Sequence, residues 1–447
     1  MLKNRNFRVF RISGRRFVVS SLRGFWRKQR LYYGLVSLVI WLAIISCSSE
    51  EPHTLASTAI TSERVIPSPS IVVVKTPSGN TSNPPSTEAL LQESWNAYRD
   101  RFIQSDGRVI DWESNSRTVS EGQAYAMLRA VLADDPDTFD RTLQWAENNL
   151  RRTGSGQGES LWTWKWGERP DKTWGVIDGN FASDADIDAV TALILASRRW
   201  NRADYLVPAR EKLADLWAYS TLVLPALEPQ NSPRYLLPGP LQAFQPRSGV
   251  VHLNPSYLAP YAFRLFAQVD PERDWLALVE SSYRVLEQTS QLSANGLPSD
   301  WVTLELASQT LKPTESSALK TQYGFDAYRV WWRVALDAAW FGEARADRFL
   351  EAHLPYLKTL WQNQKSIPAI MNLQGKALVD YEATSQYAML YPAFQRLDPS
   401  LAEAMRRDKL LTTYNQGIWD NANAYYVQNL AWLGLFPPEQ VPATLLK

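Results

Sequence analysis

The chain of 447 residues is long enough for one large domain or for two to three ordinary ones. Its hydrophobic content of 45% and charged content of 21% are those of a folded globular protein and exclude wholesale disorder. The net charge of +1 hides a division, because ten of the 47 Lys and Arg residues precede Ile40 and no acid does. The rest of the chain has 37 basic and 46 acidic side chains, which argues against a nucleic acid as partner.

Residues 1–47 have the layout of an export signal. A basic stretch ends at Arg30, an apolar stretch of about 15 residues follows at 31–45, and Cys47 comes next. The apolar stretch is short for a membrane span and typical of a signal-peptide core. Because "IISC" resembles a bacterial lipobox, Cys47 is predicted to be lipidated; the long basic leader keeps an uncleaved signal anchor as the alternative. Either form exports the rest of the chain and tethers it to a membrane, in the periplasm or outside the cell.

Residues 48–87 and 88–447 differ in composition. The first segment is rich in Ser, Thr and Pro and predicts a linker, because it cannot bury enough apolar surface to fold. In the second segment Trp, Leu, Ala and Tyr recur at helical spacing, which predicts a single domain. We expect the protein to act as a monomer.

The cysteine and histidine residues show no spacing typical of a disulfide framework or of a zinc or haem site. Cys47 is the single cysteine of the sequence, so no disulfide can form within the chain. The three histidines, His53, His252 and His353, are far apart and show no zinc or haem spacing. A Ser-His-Asp arrangement is not suggested beyond chance.

The predicted domain is almost entirely helical. In "GQAYAMLRAV" the residues Ala124, Met127, Leu128 and Val131 fall at i, i+3, i+4 and i+7, which places them on one helix face. The same spacing predicts helices in "DADIDAVTALILASRRW", in "DAYRVWWRVALDAAWF" and at 137–151, 203–219, 257–268, 272–289, 344–362, 382–396 and 422–435. About ten to twelve helices with few period-2 runs predict an all-α domain, in which helical hairpins close into a ring.

Three carboxylates lie where predicted helices begin. Glu121 follows Ser120, and Ser120 with Gln123 matches a capping box. Taken alone, Glu121 is explained by the favourable interaction of an acid with the helix dipole. Asp184 and Asp326 begin two further helices, however, and parallel inner helices of a ring would bring all three acids to one opening. Glycoside hydrolysis requires such a set, with one carboxyl group protonated and another ionised.

The helix dipole makes opposite demands on the two roles. It favours an ionised carboxylate, which suits a base such as Asp326. A general acid needs a raised pKa, so burial and a like charge such as Asp184 would have to outweigh the dipole at Glu121.

Aromatic residues offer a second indication of a sugar-binding protein. The sequence contains 19 Trp and 19 Tyr, and most of them are explained as core residues. In "LWTWKWGE" the residues Trp162, Trp164 and Trp166 alternate, so an extended segment would turn all three to one side. Flat aromatic faces suit the C–H faces of sugar rings, and the segment therefore predicts a row of sugar contacts.

Eight segments together resemble a known family. In chain order they are "DGRVIDWES", "TVSEGQAYAMLRAV", "WTWKWG", "ASDADIDAVTALILA", "NPSYLAPYAFRLF", "PSDWV", "GFDAYRVWW" and "NAYYVQNLAWLGLF". Over some 340 residues this pattern resembles glycoside hydrolase family 8, and within it the endoglucanases that accompany bacterial cellulose synthases. The resemblance implies an (α/α)6 barrel of helical hairpins and an inverting endo-β-1,4-glucanase that needs no cofactor.

The resemblance also implies roles for individual residues. Glu121 would be the general acid, Asp326 the general base, and Asp184 the residue that holds the sugar at the cleavage point. The residues implied to contact or orient the substrate and the base are Trp164, Trp166, Tyr257, Asp186, Arg329 and Phe325. Phe325 stands where the family usually has Tyr, so one hydroxyl contact is expected to be lost.

Two other functions remain open at the level of sequence. The substrate could be xylan, mixed-linkage glucan or chitosan instead of cellulose, because these polymers are also β-linked glycans accepted within the family. A membrane-tethered polysaccharide-binding protein without activity is the alternative from another class. The presence of all three acids argues against it, since a binding protein has no need of both an acid and a base.

Overall fold

The structure of the protein is a computed structural model that describes residues 86–152, 158–226 and 232–447. The predicted export signal with Cys47, and nearly all of the predicted linker, lie outside the described residues. The described residues belong to one structural unit, 81–447. In these ranges no helix is both long and apolar enough to cross a membrane.

Helices dominate the described ranges. They are α1 (Thr87–Phe102), α2 (Ser120–Leu132), α3 (Pro136–Asn149), α4 (Ser183–Arg199), α5 (Leu206–Tyr219), α6 (Leu241–Phe244), α7 (Pro260–Val269), α8 (Trp275–Gln291), α9 (Tyr328–Phe341), α10 (Ala344–His353), α11 (Pro355–Gln364), α12 (Thr384–Leu397), α13 (Pro399–Met405) and α14 (Tyr425–Leu435). The predicted helix at 344–362 is two helices, because Pro355 lacks the N–H that would continue α10 and instead begins α11.

Six of these helices form a closed inner ring. Around the ring, α2 packs on α4, α4 on α7, α7 on α9, α9 on α12, α12 on α14, and α14 on α2. Each inner helix also packs against one outer helix: α3 on α2, α5 on α4, α8 on α7, α10 on α9, α13 on α12 and α1 on α14. Six inner and six outer helices arranged in this way are an (α/α)6 barrel, which confirms the predicted fold class.

The difference between inner and outer helices follows from their sequences. In α4 every residue from Ser183 to Ser197 is buried, as expected for a helix that is covered on all sides. The outer helix α3 buries a single stripe that includes Phe139, Thr142 and Trp145, at the spacing of one helix face. The inner helices therefore bring polar side chains into the barrel, where each needs a partner.

Short antiparallel sheets connect the helices at the ends of the barrel. The strands are β1 (Thr118–Val119), β2 (Thr163–Glu168), β3 (Trp174–Phe181), β4 (Thr221–Val223), β5 (Arg234–Leu236), β6 (Val250–Leu253), β7 (Val302–Glu305), β8 (Thr310–Lys312), β9 (Tyr414–Asn415) and β10 (Ile418–Trp419). They pair as β1-β2-β3, β4-β5, β6-β7-β8 and β9-β10.

The first sheet places two inner helices side by side. Both β1 and β3 run antiparallel to the strand between them, β2, so β1 and β3 end at the same edge of the sheet. Helix α2 begins directly after β1, and α4 begins two residues after β3. The starts of α2 and α4, and with them Glu121 and Asp184, are therefore neighbours at one opening of the barrel.

Candidate active site

A pocket at this opening brings together the three predicted carboxylates. Its volume is about 170 Å³. It is lined by Arg117, Val119, Ser120, Glu121, Trp164, Ala182, Asp184, Tyr257, Asp326, Arg329 and Tyr425. The expectation that the three acids meet at one opening is therefore confirmed. We call Glu121, Asp184, Asp326 and Arg329 the mouth cluster.

Arg329 binds all three carboxylates of the mouth cluster. Its Nη1 donates to Glu121 Oε1 at 2.6 Å and to Asp184 Oδ2 at 2.8 Å. Its Nη2 donates to Asp326 Oδ1 at 2.7 Å and to the Ser256 hydroxyl at 2.9 Å. The arginine is 1% exposed, so its charge acts in a poorly solvated environment. Three acids share one cation, and the cluster therefore carries an excess of negative charge that favours binding a proton.

Glu121 has a pKa raised far enough to keep a proton on part of the molecules at neutral pH. Burial raises its pKa to about 7, Arg329 opposes this rise, and the charge of Asp184 adds to it. The hydroxyl of Tyr425 donates to Oε2 at 2.9 Å, which favours the ionised form, and the hydroxyl of Tyr125 lies 3.4 Å from Oε1. Burial and the like charge thus outweigh the arginine and the Tyr425 hydrogen bond.

The predicted capping box at the start of α2 is wrong. The helix begins at Ser120, and its N-cap residue is Val119, whose side chain makes no capping hydrogen bond. The buried Ser120 hydroxyl has no hydrogen-bond partner. The Gln123 amide instead accepts from the Val109 N–H at 2.6 Å. The same amide donates to the carbonyls of Gly107 at 3.1 Å and Thr142 at 2.9 Å. Gln123 turns inward because buried backbone groups there need partners, and it ties the first turn of α2 to two other segments.

Asp184 lies deeper than Glu121 on the neighbouring inner helix. It is buried, its Oδ2 accepts from Arg329, and its Oδ1 accepts from the N–H of Ala185 at 2.9 Å. Burial raises its pKa, Arg329 lowers it, and Asp188 one turn further along α4 raises it again.

Asp326 differs from the other two acids in position and exposure. It was predicted to begin a helix, whereas α9 begins at Tyr328 and Asp326 occupies the turn before it. Its side chain is 32% exposed, compared with 18% for Glu121. Its Oδ2 accepts from the indole Nε1 of Trp301 at 3.1 Å, while Arg329 binds Oδ1. Asp326 therefore has a fixed orientation and remains open to solvent, as a group that activates water needs to be.

The three alternating tryptophans do not share one environment, contrary to prediction. Trp162 is fully buried and donates to Glu147, whereas Trp164 lines the pocket of the mouth cluster. Trp166 lines a second pocket, where its ring centre lies 5.4 Å from that of Trp174. The register of β2 with β3 shifts twice along this stretch, and such bulges increase the local twist, so residues two apart need not face the same way. Stacking of a sugar on Trp166 stays a prediction, separate from the mouth cluster.

Asp186 requires a correction. It was predicted as a substrate contact, but it is fully buried and pairs with Lys212 Nζ at 3.3 Å beneath the backbone of Trp162. Two residues correspond to about 200° around a helix, so Asp186 cannot share a face with Asp184. Burial raises its pKa to about 6, and Lys212 opposes this rise.

Of the other predicted contacts, Tyr257 lines the pocket, whereas Phe325 is not among the residues that line it. Phe325 is exposed, and its backbone carbonyl accepts from the hydroxyl of Tyr426 at 2.8 Å. Tyr425, which lines the pocket, and Trp301, which donates to Asp326, are among the residues not predicted for the site. Tyr425 is the first residue of the inner helix α14, so the argument applied to Glu121 could have found it. Trp301 contacts Asp326 from a segment 25 residues earlier in the chain, and the signal for it was its place in the family segment "PSDWV".

The described ranges contain no group of three or more His, Cys, Asp or Glu side chains arranged to hold a metal ion. The expectation of a reaction without a cofactor stays a prediction. The residues themselves offer a carboxyl group with a raised pKa, Glu121, that can donate a proton, and an oriented carboxylate, Asp326, that can accept one.

Several known proteins are similar to this chain in sequence and in fold. An endoglucanase of Pseudomonas fluorescens (strain SBW25) is 35% identical over 209 residues, which are 46% of this chain and 50% of that protein. An endoglucanase of Escherichia coli (strain K12) is 30% identical over 347 residues, 76% of this chain and 85% of that protein. The crystal structure of an endo-1,4-D-glucanase from Vibrio fischeri ES114 matches with a TM-score of 0.65 and 26% identity, covering 76% of this chain and 93% of that one.

The family itself is identified by a wider match. The sequence model described as "Glycosyl hydrolases family 8" matches residues 76–436, which include every residue of the mouth cluster. The resemblance found in the eight sequence segments is thereby confirmed, and the protein belongs to family 8 of the glycosyl hydrolases.

Proposed function

We propose that the protein is an inverting endo-β-1,4-glucanase that acts on cellulose or a related β-1,4-glucan. The observation that carries the proposal is the difference between two acids bound to the same arginine. Glu121 has a pKa raised to about 7 by burial, whereas Asp326 is oriented by two donors and 32% exposed. The family and the endoglucanases of related sequence support the choice of reaction and substrate.

In the proposed reaction, Glu121 gives its proton to the glycosidic oxygen as the bond between that oxygen and the anomeric carbon breaks. Asp326 accepts a proton from a water molecule whose oxygen bonds to the same carbon from the opposite face, which inverts the anomeric configuration. The reaction leaves Glu121 ionised and Asp326 protonated, and proton exchange with solvent restores both groups.

The other residues of the pocket would bind the substrate. Arg329 fixes the orientation of Asp184, which is proposed to accept hydrogen bonds from hydroxyl groups of the sugar at the cleavage point. Trp164 and Tyr257 line the same pocket and offer aromatic surfaces to the neighbouring sugar rings. Arg329 would keep Asp326 oriented while its remaining bonds maintain the spacing of the acids.

The product configuration tests the mechanism. The full-length protein should release reducing ends from carboxymethyl-cellulose, and proton NMR of cellohexaose hydrolysis should detect α-anomers first. The first appearance of β-anomers would contradict inversion. Preferential hydrolysis of xylan, mixed-linkage glucan or chitosan would reassign the substrate, and binding without hydrolysis of any β-1,4-glycan would favour a binding protein.

The proposed location is outside the cytoplasmic membrane, with the domain tethered through lipidated Cys47 and acting as a monomer during cellulose synthesis. The supporting observations are the basic and apolar stretches before Cys47, the linker composition, and the eight family segments. Metabolic labelling with a radioactive fatty acid should mark the full-length protein and not its Cys47→Ala variant. Equal labelling of both, or of neither, would contradict lipidation at Cys47.

A further inference from the structure

Asp326 is held by two adjacent residues of a distant segment in addition to Arg329. Trp301 donates its indole N–H to Asp326 Oδ2 at 3.1 Å, opposite the oxygen that Arg329 binds. Both oxygens of this carboxylate therefore have a donor, and the two donors approach from different parts of the chain. The carboxyl group of Asp300, the residue before Trp301, binds the backbone of the turn that carries Asp326.

Asp300 binds the backbone of the turn that carries Asp326. Its Oδ1 accepts from the N–H of Ala327 at 2.9 Å, and the N–H of Asp326 is a further backbone donor to this carboxyl group. Its Oδ2 accepts from the side chain of Gln322 at 3.2 Å. A Cβ atom on Gly324 would lie 2.6 Å from Oδ2, so the glycine permits this close approach. Burial and the neighbouring Asp326 raise the pKa of Asp300 to about 8, so this group is mostly uncharged at neutral pH.

The indole of Trp301 is itself held in place by packing. Its ring stacks on Phe244 with ring centres 5.7 Å apart and planes 8° from parallel. It also meets Tyr257, a residue of the pocket, edge to face at 6.2 Å. The direction of its N–H is therefore determined by neighbours and does not depend on the hydrogen bond to Asp326.

We propose that Asp300 and Trp301 are positioning residues for the base Asp326, with Asp300 holding its backbone and Trp301 fixing the rotation of its carboxylate. This inference rests on the proposed role of Asp326. The N–H groups of Asp326 and Ala327 precede α9 and bond to Asp300 instead of to a helix carbonyl, and rotation about the last torsion of an Asp side chain is otherwise broad. Water activation requires the accepting oxygen in a narrow range of positions, so a loosened carboxylate loses rate while substrate binding persists.

The first test is Trp301→Phe, which retains the ring and removes the N–H. We expect kcat on cellohexaose to fall by about 10- to 100-fold, since one hydrogen bond to a charged group is lost, with KM changed by less than about 2-fold. Trp340→Phe is the matched control, because the Trp340 indole donates at 3.2 Å to the Pro438 carbonyl, outside the mouth cluster. An unchanged kcat in Trp301→Phe, or an equal loss in Trp340→Phe, overturns the proposal.

A substrate with a better leaving group separates positioning of the base from a general loss of structure. Cleavage of β-cellotriosyl fluoride needs little protonation of the leaving group but still needs an activated water. The defect of Glu121→Gln should shrink on the fluoride, whereas the defect of Trp301→Phe should persist. If the defect of Trp301→Phe also disappears on the fluoride, Trp301 does not act through the base.

Asp300 is tested by two substitutions of different chemistry. Asp300→Asn keeps an oxygen that can accept from Ala327 and should retain most of kcat, whereas Asp300→Ala should lose at least as much as Trp301→Phe. Equal kcat for both variants contradicts the role of Asp300, and if Asp300→Ala does not fold, the Trp301→Phe results decide. Asp326→Asn distinguishes the proposed mechanism from the positioning inference. If this variant remains active, the proposed mechanism fails. If it is inactive while Trp301→Phe has normal kcat, only the positioning inference is refuted.

Discussion

Two ion-pair sites on the same pair of helices show what makes the mouth cluster reactive. Asp184 and Asp188 lie four residues apart on α4, and Arg329 and Arg333 lie four residues apart on α9, so each Asp faces one Arg. Asp188 and Arg333, which we call the inner pair, bind each other through two hydrogen bonds of 2.8 Å and are fully buried.

The two sites differ in their balance of charge. In the inner pair one carboxylate meets one guanidinium, the charges cancel, and the hydroxyl of Tyr261 is the further partner of Arg333 at 3.0 Å. In the mouth cluster three carboxylates meet one guanidinium and the site opens to a pocket. The excess negative charge and the burial favour a proton on Glu121, while an open pocket admits substrate. The comparison assigns a structural task to the inner pair and a chemical one to the mouth cluster.

The largest expected effect is the loss of activity in Glu121→Gln. Glutamine keeps the size of the side chain but has no proton to give to the leaving oxygen, so kcat should fall by about 10²- to 10⁴-fold. Binding of cellohexaose, measured by calorimetry, should persist. Near-normal turnover would remove Glu121 from the mechanism.

Breaking the inner pair with a single substitution should lower stability far more than breaking an exposed ion pair. Arg333→Met leaves the buried Asp188 without its cation and should lower the free energy of unfolding by about 3–5 kcal/mol, measured by urea denaturation. Arg407→Met is the matched control, because its partner Asp408 lies 2.8 Å away on the exposed surface. That control should cost at most about 1 kcal/mol, and similar losses in both variants would contradict a special role for the inner pair.

Substrate stacking should distinguish the mouth cluster from the neighbouring pocket. Trp164→Ala removes an aromatic surface that lines the pocket of the acids and should raise KM for cellotetraose by about 2- to 10-fold. The same substitution at Trp166, which lines the other pocket, should leave KM for this short substrate nearly unchanged. A larger effect at Trp166 would move the principal sugar contacts away from the mouth cluster.

The smallest expected effect is a shift in pH dependence. With the pKa of Glu121 at about 7, kcat/KM of the unmodified protein should fall as the pH rises through this value, because the acid loses its proton. Tyr425→Phe removes a hydrogen bond that favours the ionised form, so the pKa should rise and the basic limb of the profile should move to higher pH by a fraction of a unit.

Tyr125→Phe is the control for this shift. Its hydroxyl lies 3.4 Å from Glu121, compared with 2.9 Å for Tyr425, so its removal should move the limb less. Movement of the limb to lower pH in Tyr425→Phe would contradict the role assigned to that hydroxyl.

Prediction from sequence succeeded for features that depend on local periodicity. The apolar stripe of Ala124 to Val131 is part of α2, and the start of α4 near Ser183 was predicted correctly. Prediction failed where a side chain finds its partner far along the chain. Gln123 binds buried backbone groups of other segments instead of capping its own helix, and Asp186 pairs with Lys212 on α5.

The sequence by itself determined the family, the helical ring and the identities of the three acids, because these depend on the order and spacing of residues along helices. The tertiary structure alone decided the raised pKa of Glu121, because it depends on burial and on Arg329 and Asp184, which lie on two other inner helices. It also brought the indole N–H of Trp301 to Asp326, 25 residues away along the chain. Periodicity determines which residues share a helix face, and the packing of the barrel determines what each face meets.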